Sequence, residues 1–180
     1  QHGFASAQPV LAELDEARRA LGPSGIEVSA VLLGRPRDLE AATTFADTLG
    51  LPLEVLSPSG DGFGAALLEG FRAALGDGAD VMVSLDADGQ HDARQIPDLV
   101  RSHLAHGSGL TIGSRWTRGG SSPGTGPART LLSRTGNTLV KAFTGARGVS
   151  DSTTSFRVYS REVAQLLLDE KLPEETYGFF

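Results

Sequence analysis

The chain contains no cysteine, which excludes disulfide scaffolds, thiolate zinc sites, iron–sulfur clusters and cysteine nucleophiles together. Long apolar runs are missing as well. No stretch approaches the roughly 18 uninterrupted apolar residues of a spanning helix, and Gln1-His2-Gly3-Phe4 lacks the basic and apolar regions of a signal peptide. The 23 glycines follow no fixed period, which removes collagen-like classes. Acidic residues are absent from Leu99 to Ser150, although the chain as a whole carries a net charge of -6. In that segment Arg101, Arg115, Arg118, Arg129, Arg134, Lys141 and Arg147 stand alone, so it is +7 and the remainder -13. The overall sign argues against a nucleic-acid binder held by bulk electrostatics. The basic segment would instead attract phosphates or an anionic membrane surface, or form a solvated basic face.

What is present describes one globular domain: 180 residues, 39% apolar and 21% charged. Pro9 suits a first helical position, and Val10, Leu11, Leu14, Ala17 and Leu21 follow at helical spacing until Gly22-Pro23. Ile26 to Leu33 reads as a strand, and Asp38 caps a helix with Ala41, Ala42, Phe45, Ala46 and Leu49 inward. Strands are then expected at Leu53–Leu56, Val81–Leu85, Leu110–Gly113 and near Ser155–Tyr159. Helices are expected at Ala65–Leu75, Ile96–His106, Ala128–Phe143 and Glu162–Leu168, with a Gly/Ser/Pro/Thr-rich loop from Thr117 to Pro127. Such alternation predicts a Rossmann-like α/β fold, a mostly parallel sheet with helices on both faces. Ligands of these sheets sit at the carboxyl ends of strands.

One strand ends in chemistry. Val81-Met82-Val83-Ser84-Leu85 runs into Asp86-Ala87-Asp88-Gly89-Gln90-His91, two carboxylates and an amide. Carboxylates this close repel unless a cation sits beside them, and hard oxygen ligands suit Mg2+ or Mn2+ shared with substrate phosphates. Twelve aspartates in such a chain give about one Asp-x-Asp by chance, so the strand context carries the argument. Gly60-Asp61-Gly62-Phe63-Gly64-Ala65 fits the dinucleotide fingerprint between a strand and a helix, with Asp86 about 20 residues on; a nicotinamide or flavin oxidoreductase is therefore a competing reading, weakened by Ser57-Pro58-Ser59 ahead of the glycines. Gly120-Ser121-Ser122-Pro123-Gly124 matches a hydrolase string but lacks the strand and helix of a nucleophile elbow. His103 and His106 could share a metal, yet read better as surface histidines, and no phosphate-binding loop of the Walker type is present.

Taken in order, the pieces resemble the family-two glycosyltransferases of the dolichyl-phosphate mannose/glucose synthase type. They are Gly62-Phe63-Gly64 with Gly70, Asp86 to His91, Ile96-Pro97, Ile112-Gly113-Ser114-Arg115, Arg129 with Ser133-Arg134, and Asp151 with Ser155-Phe156-Arg157. The resemblance covers Ile26 to Phe180. It implies a GT-A-like fold, one catalytic domain over 1–180, and sugar transfer from a GDP-mannose or UDP-glucose type donor to a polyprenyl or dolichyl phosphate. It implies that Asp86 and Asp88 bind Mg2+ or Mn2+ and the donor diphosphate, with Gln90 a further metal ligand. Arg115, Arg129, Ser133 and Arg134 match positions that hold donor and acceptor phosphates, and the place of work would be the cytoplasmic face of a membrane.

Two departures from the family stand out. Relatives open with a strand ending in a Pro-x-x-Asn-Glu-like motif, and nothing before the first helix matches it. With the missing initiator methionine and the end at Gly178-Phe179-Phe180, this leads us to expect a piece of a longer protein without its first strand or any C-terminal membrane segment. Relatives also end the next strand in Asp-Asp-Gly-Ser, where this chain has Leu32-Leu33-Gly34-Arg35. Leucines cannot accept a hydrogen bond from a base or ribose. That change favours, as an alternative, a non-catalytic relative that binds a partner or membrane surface through the basic segment.

Overall fold

The computed structural model describes residues 4–34, 36–58, 60, 62–114, 151 and 154–170. Along them run α1 (Phe4–Leu21), β1 (Ala30–Leu33), α2 (Pro36–Leu49), β2 (Leu53–Leu56), α3 (Phe63–Gly76), β3 (Val81–Ser84), α4 (Ile96–His106), β4 (Leu110–Ile112), β5 (Arg157–Ser160) and α5 (Arg161–Asp169). A 3₁₀ turn, Gly22–Ser24, follows α1, and another, Ala93–Gln95, precedes α4. The helix expected over 128–143 and the loop over 117–127 lie outside the described residues.

β1 and β2 pair in parallel, Ala30 opposite Leu53 and Leu33 opposite Leu56. β5 lies between β3 and β4 and is antiparallel to both, with Met82 opposite Tyr159 and Thr111 opposite Val158. β3 and β4 therefore run in one direction, as strands joined through a helix do, and β5 is the reversed strand. The α/β layering meets the expectation, but among the described residues β1–β2 is the one directly parallel pair. A short run buried on both faces, such as Arg157-Val158-Tyr159, marks a central strand without marking its direction.

Two helices hold the two sheets together, since no ladder joins them among the described residues. On α1, Val10, Ala17 and Leu21 pack with Ile96, Val100, Phe156 and Val158, while Leu11 packs with Ala42, Ala46 and Leu51. Helix α3 places Leu68 and Phe71 against Met82, Tyr159 and Ala164. It also approaches β1 so closely that a Cβ on Gly70 would lie 3.3 Å from Leu33 Cδ1. Burying these side chains supplies most of the local driving force, at roughly 1.5–3 kcal/mol for each large aliphatic or aromatic group fully removed from water.

Three boundaries differ from the sequence reading. α1 starts upstream of Pro9, because Phe4 meets Phe45 edge-on at 6.2 Å and its amide donates to Asp38 Oδ1 at 3.3 Å. Pro9 then removes only one internal hydrogen bond, the one that would reach back to Ala5. Ile26 and Val28 precede the strand, packing against the cluster under α1. Pairing stops with β2, which offers partners only from Leu53 to Leu56. The third change is at α3, which opens at Phe63, on Gly62 with φ of 108°, a backbone state that glycine adopts without steric cost.

Candidate active site

The carboxyl end of β3 is where the chain turns from apolar to acidic. After Leu85, Asp88 Oδ1 accepts from the Gln90 amide at 2.9 Å, and Gly89 at φ of 78° completes the turn. The turn stops the strand and leaves Asp86, Asp88 and Gln90 on one short bend. Asp92 then accepts from the Arg94 amide at 3.1 Å to cap the 3₁₀ turn. The Arg94 side chain, with Nε 2.8 Å from the Asp92 carboxylate, holds that carboxyl below the usual carboxylate range. The far side of the turn is tied to α1, where Glu13 Oε2 accepts from the Ala93 amide at 3.0 Å.

The start of β5 closes on this bend. Ser155 Oγ donates to Asp86 Oδ2 at 2.7 Å, and His91 Nε2 lies 3.1 Å from the same hydroxyl. A carboxylate accepts only, so the single hydroxyl proton goes to Asp86 and the His91 Nε2–H donates to Ser155. Ser84 Oγ donates to the Ser155 carbonyl, and the His91 ring lies against Phe156 with centroids 5.5 Å apart. Behind these, Thr154 Oγ1 accepts from the Phe156 amide at 3.2 Å, and Arg157 Nε donates to the Thr154 carbonyl at 2.8 Å. Asp151, Thr154 and Arg157 are buried, which fixes the segment carrying Ser155.

β4 reaches the same place through Gly113, whose amide donates to the Phe156 carbonyl at 2.9 Å. A Cβ there would stand 2.7 Å from the Phe156 ring, so only glycine lets the two strand ends meet. Of the residues selected from sequence, Asp86, Asp88 and Gln90 are thus brought onto one bend. Arg115, Arg129, Ser133 and Arg134 lie outside the described residues, as do Ser121 and Ser122. Ser155, His91 and Gly113 were visible in the motif string, but nothing in their spacing gave them roles.

The bend offers carboxylate oxygens of the kind a hard divalent cation takes. Asp86 is half-exposed, at 44% of its side chain, and its Oδ1 is not used by any described residue; the same holds for Asp88 Oδ2. No three His, Asp or Glu side chains converge among the described residues. This donor set fits a hard divalent ion that binds jointly with substrate phosphates and keeps its waters, rather than a protein cage. Asp86, Asp88 and Gln90 are the residues that could hold it.

Competing sites fare less well. His103 is buried, correcting its reading as a surface residue. Its Nδ1 is 3.0 Å from Thr111 Oγ1, and burial lowers its pKa. His106 instead turns back to the Ser102 carbonyl at 2.8 Å, so the two do not meet over a metal. β2 ends at Leu56 and α3 begins at Phe63, a separation longer in sequence than the tight turn of a dinucleotide fingerprint. At the end of β1, Leu32 packs into the cluster under α1 and α2, and Leu33 lies beside Gly70.

Comparison with known proteins places the chain in a family. A polyprenol monophosphomannose synthase from Mycolicibacterium smegmatis is 39% identical over 118 residues, 66% of this chain and 44% of that protein. An undecaprenyl-phosphate mannosyltransferase from Micrococcus luteus is 32% identical over 119 residues, 66% of this chain and 48% of its own. The chain thus spans under half the length of these curated relatives. A solved crystal structure of a mycobacterial protein superimposes on 87% of this chain and 50% of its own, with a TM-score of 0.56 and 20% identity, which shows a shared GT-A-like α/β fold. Residues 35–168 match the family described as glycosyl transferase family 2, from the end of β1 into α5, and the chain belongs to that family.

Proposed function

We propose that the chain forms the donor-binding, catalytic part of a polyprenyl-phosphate mannosyltransferase, moving mannose from a nucleotide-activated donor onto a lipid-linked phosphate. The observation that carries this reading is the bend Asp86-Ala87-Asp88-Gly89-Gln90 at the carboxyl end of β3, in a chain of this family. The relatives' names supply the sugar and the class of acceptor. Asp86, Asp88 and Gln90 would hold Mg2+ or Mn2+, which when bound neutralises charge growing on the departing diphosphate.

The acceptor phosphate oxygen attacks the anomeric carbon, the bond from that carbon to the donor diphosphate breaks, and the electron pair leaves on the diphosphate. An acceptor phosphate is already anionic at neutral pH, so no side chain has to remove a proton from it. Arg115, Arg129, Ser133 and Arg134 are assigned to the donor and acceptor phosphates, where guanidinium forks orient the reacting oxygen. Their seven-cation segment without acids would also draw the chain to an anionic membrane surface. No helix among the described residues is long and apolar enough to cross a membrane.

Calorimetric titration of GDP and UDP, with and without Mn2+, tests the reading. Metal-dependent binding that disappears in Asp88→Asn is expected. Equal affinity in that variant would remove the metal assignment. A second reading, a non-catalytic relative that meets a membrane or partner through its basic segment, is favoured by the packed Leu32 and Leu33. It predicts binding to anionic vesicles with no metal-dependent nucleotide binding.

A further inference from the structure

Asp86 stands at a strand end with nearly half its side chain exposed, where a carboxylate would ordinarily rotate among several rotamers. It does not stand alone. Ser155 Oγ, 69 residues further along, donates to Asp86 Oδ2 at 2.7 Å, and the Nε2–H of His91 donates to that hydroxyl across 3.1 Å. His91 is itself mostly buried, 13% exposed, and rests on Phe156. Ser84 anchors the Ser155 backbone through its carbonyl.

The order of these groups excludes a hydrolytic triad. In a triad the imidazole stands between the hydroxyl and the carboxylate, taking the proton from one while oriented by the other. Here the hydroxyl stands in the middle. His91 Nε2 is 3.9 Å from Asp86 Oδ2, beyond hydrogen-bond range, and Ser155 gives its proton to the carboxylate. Ser155 is therefore not activated as a nucleophile. Its hydroxyl is a relay of geometry, filled on both sides.

We propose that Ser155, oriented by His91, is a positioning residue for the donor site: it locks Asp86 through Oδ2 so that Oδ1 faces the metal and diphosphate. This inference rests on the donor-site reading above. A preset carboxylate loses less side-chain freedom when the ligand binds, and partners behind a metal-binding carboxylate commonly set its affinity. The link also ties the donor site to the start of β5, whose hydrogen bonds at Thr154 and Arg157 hold Ser155 in place.

The test compares GDP titrations, with and without Mn2+, in the wild type, Ser155→Ala and Ser155→Thr. Ser155→Ala is expected to lose about 10- to 100-fold of the Mn2+-dependent affinity, while metal-independent binding stays unchanged. Ser155→Thr keeps the hydroxyl and should recover most of the loss. Thermal melts by circular dichroism check that all three fold alike. Long-range proton–nitrogen NMR of His91 gives a readout without ligand: the Nε2–H tautomer is expected in the wild type and a mixed population in Ser155→Ala. Wild-type binding that is unaffected by Ser155→Ala, or an Nδ1–H tautomer in the wild type, overturns the positioning role alone. No metal-dependent binding of GDP or UDP by the wild type overturns the donor-site reading, and this inference with it.

Discussion

Two strand ends in this molecule face the same task with opposite side chains. β3 runs out into Asp86, Asp88 and Gln90 on a bend pinned by Asp88 and Gly89. β1 runs out into Leu32, Leu33 and Gly34, which are absorbed by α1, α2 and α3. Both ends lie before helices in an α/β fold, so position alone does not make a site. On the function proposed above, the difference would put donor affinity at the diphosphate end, at β3. The nucleoside end gains no acidic acceptor from β1.

The largest test of that contrast is Asp88→Asn. The amide keeps an Oδ1 to accept from Gln90, so the bend survives while the charge is lost. Metal-dependent nucleotide affinity should fall about a hundredfold or more, as calorimetry would read. A fall of less than tenfold would move the grip away from β3.

Glycine substitutions sharpen the contrast at the two ends. Gly113→Ala puts a methyl 2.7 Å from the Phe156 ring and 3.2 Å from its carbonyl oxygen. Overpacking of this kind costs about 1–3 kcal/mol in urea unfolding. Gly70→Ala meets only the flexible end of Leu33, and alanine gains about 0.5–1 kcal/mol over glycine in a helix interior, so it should be near neutral or stabilising. Equal destabilisation by the two would show that the β1 side is packed as tightly as the β3 side.

A smaller effect concerns the base. Without acidic acceptors on β1, GDP and UDP should bind within about tenfold of each other in the presence of Mn2+, since strong discrimination needs buried polar groups built for one base. A hundredfold preference would place base recognition elsewhere in the chain.

The smallest is a pH effect away from both ends. Burial lowers the His103 pKa from its ordinary 6.5, so the unfolded state binds the proton more readily. Stability should then be fullest above the ordinary histidine range and decline as pH falls through it and on towards the lowered value. His103→Gln should flatten that slope in urea midpoints measured between about pH 8 and about pH 5.5. An unchanged slope would assign it to other groups.

How much was legible depends on whether a signal was local. β2 and α4 fall at Leu53–Leu56 and Ile96–His106, where the sequence put them, and Asp86 and Asp88 announce themselves at a strand end. Pro9 misled because tertiary contacts of Phe4 extend α1 past it. His103 misled because a histidine between exposed neighbours carries no mark of its partner Thr111 on β4. Ser155 could not be assigned at all, since its hydrogen bond spans 69 residues and exists only once β5 is seated.

That seating also has a bearing on how the chain folds. Among the described residues β3 and β4 do not pair with each other; each pairs with β5, with Val81 opposite Ser160 and Leu110 opposite Tyr159. During synthesis neither of these ladders can form until residue 160 has emerged. Contacts so distant in sequence are slow to close. The same docking event that completes this sheet brings Ser155 to Asp86, so a chain stalled short of β5 has neither a finished sheet nor a finished site.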